Sequence, residues 1–248
     1  MNNYRPAGFQ VLPPVVKNLL IINGIMLLAT YSINMSLDLD LRNTLGLHYF
    51  ASDLFQPYQL ITYMFMHGDI AHLFFNMFAL WMFGSAIENM WGPKRFLIYY
   101  LITGVGASLL HYGINYFEIQ HLISTLDAQE VNLVMEKGAD VISSGHNYVD
   151  EGIRKLNALY NGPLVGASGS LFGILLAFGM LLPETSLYMM FIPVPIKAKY
   201  FVAGYGALEL INGIQNNPDD NIAHFAHLGG MLFGFLLIKF WRARKEIR

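Results

Sequence analysis

Ser168, within Gly166-Ala167-Ser168-Gly169-Ser170, and His227, within His227-Leu228-Gly229-Gly230, are polar residues set in apolar stretches, as are His72 and Asn76. A serine hydroxyl is a weak nucleophile until a base takes its proton, and imidazole titrates near neutrality. A Ser/His pair therefore suits acyl transfer at physiological pH. The tetrahedral intermediate of such a reaction needs hydrogen-bond donors for its oxyanion; the Asn76 amide, the His72 ring and the Ser168 backbone N–H can supply them. No carboxylate is expected to complete a triad. Asp219 and Asp220 fall in a loop before the last apolar stretch, and Glu88 and Glu209 are expected away from the reacting layer, which leaves a Ser168/His227 dyad. A soluble-hydrolase elbow would place the serine after a strand, whereas here it opens an apolar helix. Metal-assisted hydrolysis is disfavoured: there is no H-E-x-x-H, and His67 and His72 are not spaced to share a helical face. With no cysteine, thiolate sites, Cys nucleophiles and disulfides are excluded.

The elements that must position these groups are membrane helices. The 248 residues are 54% hydrophobic and 13% charged, and the mean hydropathy is +0.41, beyond the range of a soluble domain. A net charge of −2 offers no basic field for nucleic acid, so nucleic acid is not an expected partner. Spans of on the order of 20 apolar residues fit at about 18–36, 70–90, 95–117, 163–182, 198–215 and 221–241. The expected fold is an all-α bundle of six transmembrane helices forming a single membrane domain. Gly92-Pro93, Asn161-Gly162-Pro163, Pro183 and Asn216-Asn217-Pro218 punctuate it. The first stretch is longer than a signal-peptide core and is read as a retained span. The fifth carries Glu209 and small residues, so it is expected to turn its polar group toward other helices. A connection at about 118–161, with Leu122, Leu126, Val131, Leu133 and Val134, is expected to form one or two amphipathic helices outside the membrane.

Of the 15 Lys and Arg, Arg5, Lys17, Lys94, Arg95, Lys197, Lys199, Lys239, Arg242, Arg244, Lys245 and Arg248 fall on one side of this topology. Arg42, Lys137, Arg154 and Lys155 fall on the other. The richer side is expected to be cytoplasmic, with both termini there. Spans two, four and six then all run inward. Counted from their starts, Ser168 and His227 lie roughly 8 and 9 Å below the outer face, with Asn76 at a similar depth and His72 one turn above it. Gly169 to Gly173 and Gly230 to Gly234 are small-xxx-small repeats that can draw spans four and six together. His111, alone in span three, is read as a hydrogen-bonded packing residue. Composition does not choose between Ala223-His224 and Ala226-His227 as the source of the base.

The sequence resembles the rhomboid family of intramembrane serine proteases from about residue 18 to 241. His67-x4-His72-x3-Asn76 is similar to the family's span-two motif, Gly166-Ala167-Ser168-Gly169 to its nucleophile motif, and His227-x2-Gly230-x3-Gly234 to its span-six motif. By this resemblance His227 is the base and His224 a neighbour nearer the outer surface. Phe172, one turn after the nucleophile, takes the place of the aromatic ring that stacks on the base. The resemblance implies a hydrolase, with no metal or organic cofactor, that cleaves single-span membrane proteins in or near their transmembrane segments; the expected setting is a bacterial inner membrane. The expected cut lies at small residues above a helix-weakening stretch. The chain departs from many members at Tyr58-Gln59, where those carry Trp-Arg, and in the long third loop. Two other readings are an inactive relative that binds transmembrane segments, which typically lacks the serine or the histidine, and a small transporter, which would show an internal repeat.

Overall fold

A computed structural model describes residues 8–189, 192–215 and 222–247. Arg5, Arg248, the turn Asn216-Asn217-Pro218, Asp219, Asp220 and the expected start of the last span at Asn221 lie outside the described residues. The fold is helical. α1 (Pro14–Leu37) is followed by the loop that the charge distribution expects on the outer side, named the outer loop for that expectation, with two short helices, α2 (Leu41–Leu45) and α3 (Gln59–Thr62). One continuous helical rod, Ile70–Trp91, comprises α4 (Ile70–Ala79), a π-helical turn at Leu80–Gly84 and α5 (Ser85–Trp91). Then come α6 (Pro93–Thr125), α7 (Ala128–Ser143), α8 (Glu151–Asn161), α9 (Ser168–Leu181), α10 (Ala198–Gln215) and α11 (His224–Ala243). Between α9 and α10 lies a short antiparallel hairpin, β1 (Ser186–Met189) and β2 (Ile192–Lys197), which the all-helical expectation does not include. In this hairpin Ser186 pairs with Lys197 and Leu187 with Ile196.

Among the described residues four helices are long and apolar enough to cross a membrane: α1, the Ile70–Trp91 rod, α6 and α11. α9 is apolar but only 14 residues long. It is the centre of the bundle, with Gly169, Ser170, Leu171, Gly173, Ile174, Leu175, Ala177 and Phe178 buried against α6, α10, α11 and the π-helical turn. That position shields α9 from lipid on nearly all sides. Its neighbours set how closely it can be packed. Ser170 donates its hydroxyl to the Tyr100 carbonyl at 2.8 Å, and Tyr99 donates to the Gly173 carbonyl at 2.8 Å, both from α6. The other end of the bundle is tied by Glu88 of α5, whose two carboxyl oxygens accept the Val15 and Val16 N–H groups at 2.9 and 2.8 Å. Those are first-turn donors of α1 that have no intrahelical partner.

The 118–161 connection does not begin at a helix end. α6 continues through it to Thr125, beyond the expected limit of 117, and α7 and α8 then fold back over this projecting part. Ile119, Val134 and Leu156, with Tyr49 of the outer loop, make a second small core, edged by Leu122, Leu126 and Val131. Asp127 and Glu130 form a capping box at the start of α7, and Asp150 caps α8 by accepting the Ile153 N–H at 3.1 Å. Asn161 fastens the layer to the outer loop: Ser52 Oγ donates to its Oδ1 at 2.9 Å, and its own backbone carbonyl lies 2.7 Å from His48 Nδ1. Gln59, at one of the two positions where the chain departs from Trp-Arg, bonds across the outer loop at four points. Its amide donates to the Thr44 and Leu54 carbonyls at 3.1 and 3.0 Å, and its oxygen accepts the His48 and Gln56 N–H groups at 3.3 and 3.1 Å.

α9 starts later than expected, at Ser168 and not near Pro163. The intervening backbone is committed elsewhere. Leu164 exchanges both of its backbone hydrogen bonds with Leu47, at 2.8 and 2.9 Å, and Gly166 N–H donates to the Tyr63 carbonyl at 3.0 Å. A helix through this segment would forfeit all three bonds. α11 likewise begins at His224. Counting residues from assumed helix starts therefore misplaces Ser168, which stands at a helix terminus and not inside a helix.

Removal of the α1 tie is expected to be felt in stability. Glu88→Ala leaves the buried Val16 N–H and the half-buried Val15 N–H without acceptors, a loss of about 2 kcal/mol, and should lower the melting temperature measured in detergent. An unchanged melting temperature would show that the Glu88 bonds do not hold α1.

Candidate active site

The extended segment before α9 delivers Ser168 as the first helical residue, and its Oγ lies 2.8 Å from His227 Nε2 on α11. Backbone contact between the two helices makes this reach possible. A Cβ built on Gly230 would fall 1.8 Å from the Gly169 carbonyl oxygen, so no side chain fits there. Farther along, the Cβ position of Gly234 lies 3.4 Å from Gly173 Cα and 2.3 Å from the Tyr99 hydroxyl. The expected pairing of the two glycine repeats is thus what the geometry shows. Phe172 stacks on the His227 ring with centroids 4.2 Å apart and planes 8° from parallel, which restricts rotation of the imidazole.

His72 and Asn76, on α4, approach the same place from the other side. A Cβ on Gly166 would meet His72 Nε2 at 2.9 Å and Asn76 Nδ2 at 3.7 Å, two residues before Ser168. Gly166 also has φ +126°, a backbone conformation that other residues rarely adopt. Each donor is oriented by a neighbour. Gly68 N–H donates to His72 Nδ1 at 3.4 Å, which leaves the proton of a neutral ring on Nε2, facing the site. Arg42, clamped by Asp40, holds the Gly68 carbonyl at 3.0 Å from its Nη1. Asn76 Nδ2 donates one hydrogen to His67 Nε2 at 3.0 Å, and its second hydrogen remains for the site. Burial, with the nearby His72 ring adding to it, pushes His67 down to about 4 and keeps it an acceptor. The span-two motif contains His67 without giving it a task; in the structure it orients the Asn76 amide.

One expectation is corrected. Glu209 does not lie away from the reacting layer: its Oε2 is 2.8 Å from His227 Nδ1 and 2.7 Å from His224 Nδ1. All three side chains are buried. The Ser168/His227 pair is therefore backed by a carboxylate. A comparison of depth among the inward-running spans two, four and six alone leaves this residue out. α10 runs antiparallel to α11, so a residue near its C-terminal end comes beside the first turn of α11. The sequence offers only a compatible spacing, Glu209 lying about as far before Gln215 as His227 lies beyond the start of the last apolar stretch, and does not give the register of the two helices. Glu88, by contrast, is remote, as expected.

His224 lines a cavity of about 370 Å³ with His111, Asn115, Glu118 and Asn212. His111 accepts a hydrogen bond from the Asn115 amide at 3.1 Å, which fits its packing role. Glu209, His224 and His227 each present a ligand atom, all within 4.8 Å of one another, a spacing compatible with a divalent cation. The hydrogen bonds among them account for the cluster without one.

A family model, the Rhomboid domain, matches residues 54–126 and 131–244. The chain belongs to the rhomboid family. His67, His72, Asn76, Ser168, Glu209, His227 and the glycines beside them fall inside the matched ranges, and the break between the ranges coincides with the start of α7. RHOMBOID-like protein 12, mitochondrial, of Arabidopsis thaliana is 31% identical over 173 residues, which is 69% of this chain and 42% of that protein. Rhomboid protease AarA of Providencia stuartii is 28% identical over 180 residues, covering 70% and 52%. A stretch of 52 residues is 46% identical to Rhomboid protease GluP of Bacillus subtilis (strain 168), 21% of this chain and 10% of that one. The chain thus spans about half or less of the length of these rhomboid relatives.

Two glycine substitutions should separate donor placement from helix approach. Gly166→Ala puts a methyl on the His72 ring in a strained backbone, and should slow labelling of Ser168 by a fluorophosphonate at least about tenfold. Gly230→Ala should push α9 and α11 apart and lower both labelling and melting temperature. Wild-type labelling by either variant would show that its contact is not needed.

Proposed function

We propose that the protein is an intramembrane serine endopeptidase that hydrolyses peptide bonds in or near the transmembrane segments of single-span membrane proteins. The observation that carries this reading is the Ser168–His227 hydrogen bond at 2.8 Å, at a helix terminus flanked by His72 and Asn76. Ser168 Oγ attacks the carbonyl carbon while its proton passes to His227 Nε2. The oxyanion is held by His72 Nε2–H, Asn76 Nδ2–H and the Ser168 backbone N–H, one of the first-turn donors that α9 leaves without an intrahelical partner. Collapse of the intermediate breaks the C–N bond, and His227 returns the proton to the departing amine. Water then repeats the sequence on the acyl-enzyme, with His227 again as base, and regenerates Ser168. Gly166, Gly169, Gly230 and Gly234 keep the backbones close enough for these contacts, and Phe172 steadies the base.

The proposed setting is a bacterial inner membrane, crossed six times, with both termini cytoplasmic and the site toward the outer face. The Lys/Arg distribution supports this orientation. The reaction is proposed to need no cofactor.

Cleavage of a model single-span substrate in liposomes tests the reading. Wild type should give product, and Ser168→Ala and His227→Ala should give none; equal product from all three would overturn it. Asn76→Ala should lower kcat by about 10²-fold or more with little change in KM. An unchanged kcat would remove Asn76 from the oxyanion site.

A further inference from the structure

We infer that Glu209 is a positioning residue for the base of the Ser168/His227 pair, fixing the tautomer and the orientation of the His227 ring. The inference rests on the protease reading above and adds a residue that neither the three family motifs nor the expected dyad contains. Its basis is geometric. A general base at Nε2 must have its lone pair directed at the serine hydroxyl, which requires the neutral ring to carry its proton on Nδ1. Glu209 Oε2, 2.8 Å from that Nδ1, accepts the proton and so selects the useful tautomer. When His227 takes the Ser168 proton, the imidazolium that forms lies beside a carboxylate. In the buried interior of the bundle, a charge-assisted bond of this kind is stronger than a neutral one.

The carboxylate is itself held in place. His224 Nδ1 lies 2.7 Å from the same Oε2, so one oxygen accepts two imidazole N–H groups through its two lone pairs. His224 lies one turn before His227 on α11, and Glu209 comes from α10. The carboxylate is thus fixed at one helix face by two histidines, and Phe172 fixes the His227 ring plane from α9. Three helices therefore set the orientation of one imidazole. The titratable groups that share this environment are Glu209 on α10, His224 on α11, His72 on α4 and His111 on α6. Glu118, beside His111 in the cavity that His224 lines, and Asp69, beside His72, are further acidic groups among the described residues, but it is Glu209 that bonds the His227 ring.

A merely structural Glu209, tying α10 to α11, predicts different behaviour from a positioning one. Kinetics on a model single-span substrate, fluorophosphonate labelling and melting temperature should be measured on the full chain in liposomes or detergent for wild type, Ser168→Ala, Glu209→Gln and Glu209→Asp. Glu209→Gln preserves shape but presents an uncharged amide that can stabilise the wrong tautomer. It should lower kcat by about 10²-fold or more, leave KM within about threefold, and slow labelling in proportion. Glu209→Asp, which keeps the charge, should recover a substantial part of kcat. Ser168-dependent cleavage with a Glu209→Gln kcat within about twofold of wild type would overturn the role of Glu209 alone. A kcat loss that follows the melting temperature in both variants, with no recovery in Glu209→Asp, would also overturn it by making the residue structural. Equal product from wild type and Ser168→Ala would overturn the protease reading, and this inference with it.

Discussion

The contact between the backbones of α9 and α11 at Gly169 and Gly230 constrains the rest of the structure. Helices that meet through side chains keep their axes some 8–10 Å apart, and a serine and a histidine on such helices need not meet. Here the Gly230 surface lies against the Gly169 carbonyl itself, and the short side chain of Ser168 reaches the imidazole directly. α6 supplies the fixed wall behind both. The Cβ position of Gly169 falls on the Ala107 methyl and that of Gly229 on the Ala107 backbone, while Tyr99 and Tyr100 bond to the carbonyl and hydroxyl groups of α9. Close approach, hydrogen bonding and burial are thus one arrangement, and a larger side chain at the contact would disturb all three.

The second constraint is the loss of helix before Ser168. Apolar composition favours a helix through Pro163–Ala167, but Leu47 and Tyr63 take up the backbone groups of this segment, and Gly166 turns with positive φ. Ser168 consequently stands where helical N–H groups are free and the helix dipole favours negative charge. Inside a continuous span the same N–H groups would be bonded to preceding carbonyls and unable to serve an oxyanion. The outer loop and the α7–α8 layer, joined through His48, Ser52 and Asn161, hold Leu47 where it must be for this to happen. The 118–161 connection, expected only as amphipathic helices outside the membrane, is therefore mechanically connected to the segment that leads into the site.

Much of this is legible before any tertiary structure. Ser168, His227, His72 and Asn76 stand out because polar side chains are costly in apolar stretches, and the glycine repeats announce close helix contact. The amphipathic pattern of Val131 and Val134 anticipates α7. The late start of α9 is not legible, because it depends on partners at Leu47 and Tyr63, more than 100 residues earlier in the chain. Nor is the hairpin at Ser186–Lys197, which is short and carries no strong turn signal.

Glu209 marks the boundary between the two kinds of information. The sequence by itself determined that the chain is a helical membrane-type bundle, which residues could react, and which glycine faces had to meet, because hydrophobic periodicity and side-chain chemistry are local properties. It even implied that Glu209 must turn inward, since a lone carboxylate in an apolar helix is costly anywhere else. Only the tertiary structure decided what it turns toward. The antiparallel pairing of α10 with α11 puts its oxygen between His224 and His227, and that register follows from packing across the whole bundle, which no local pattern encodes.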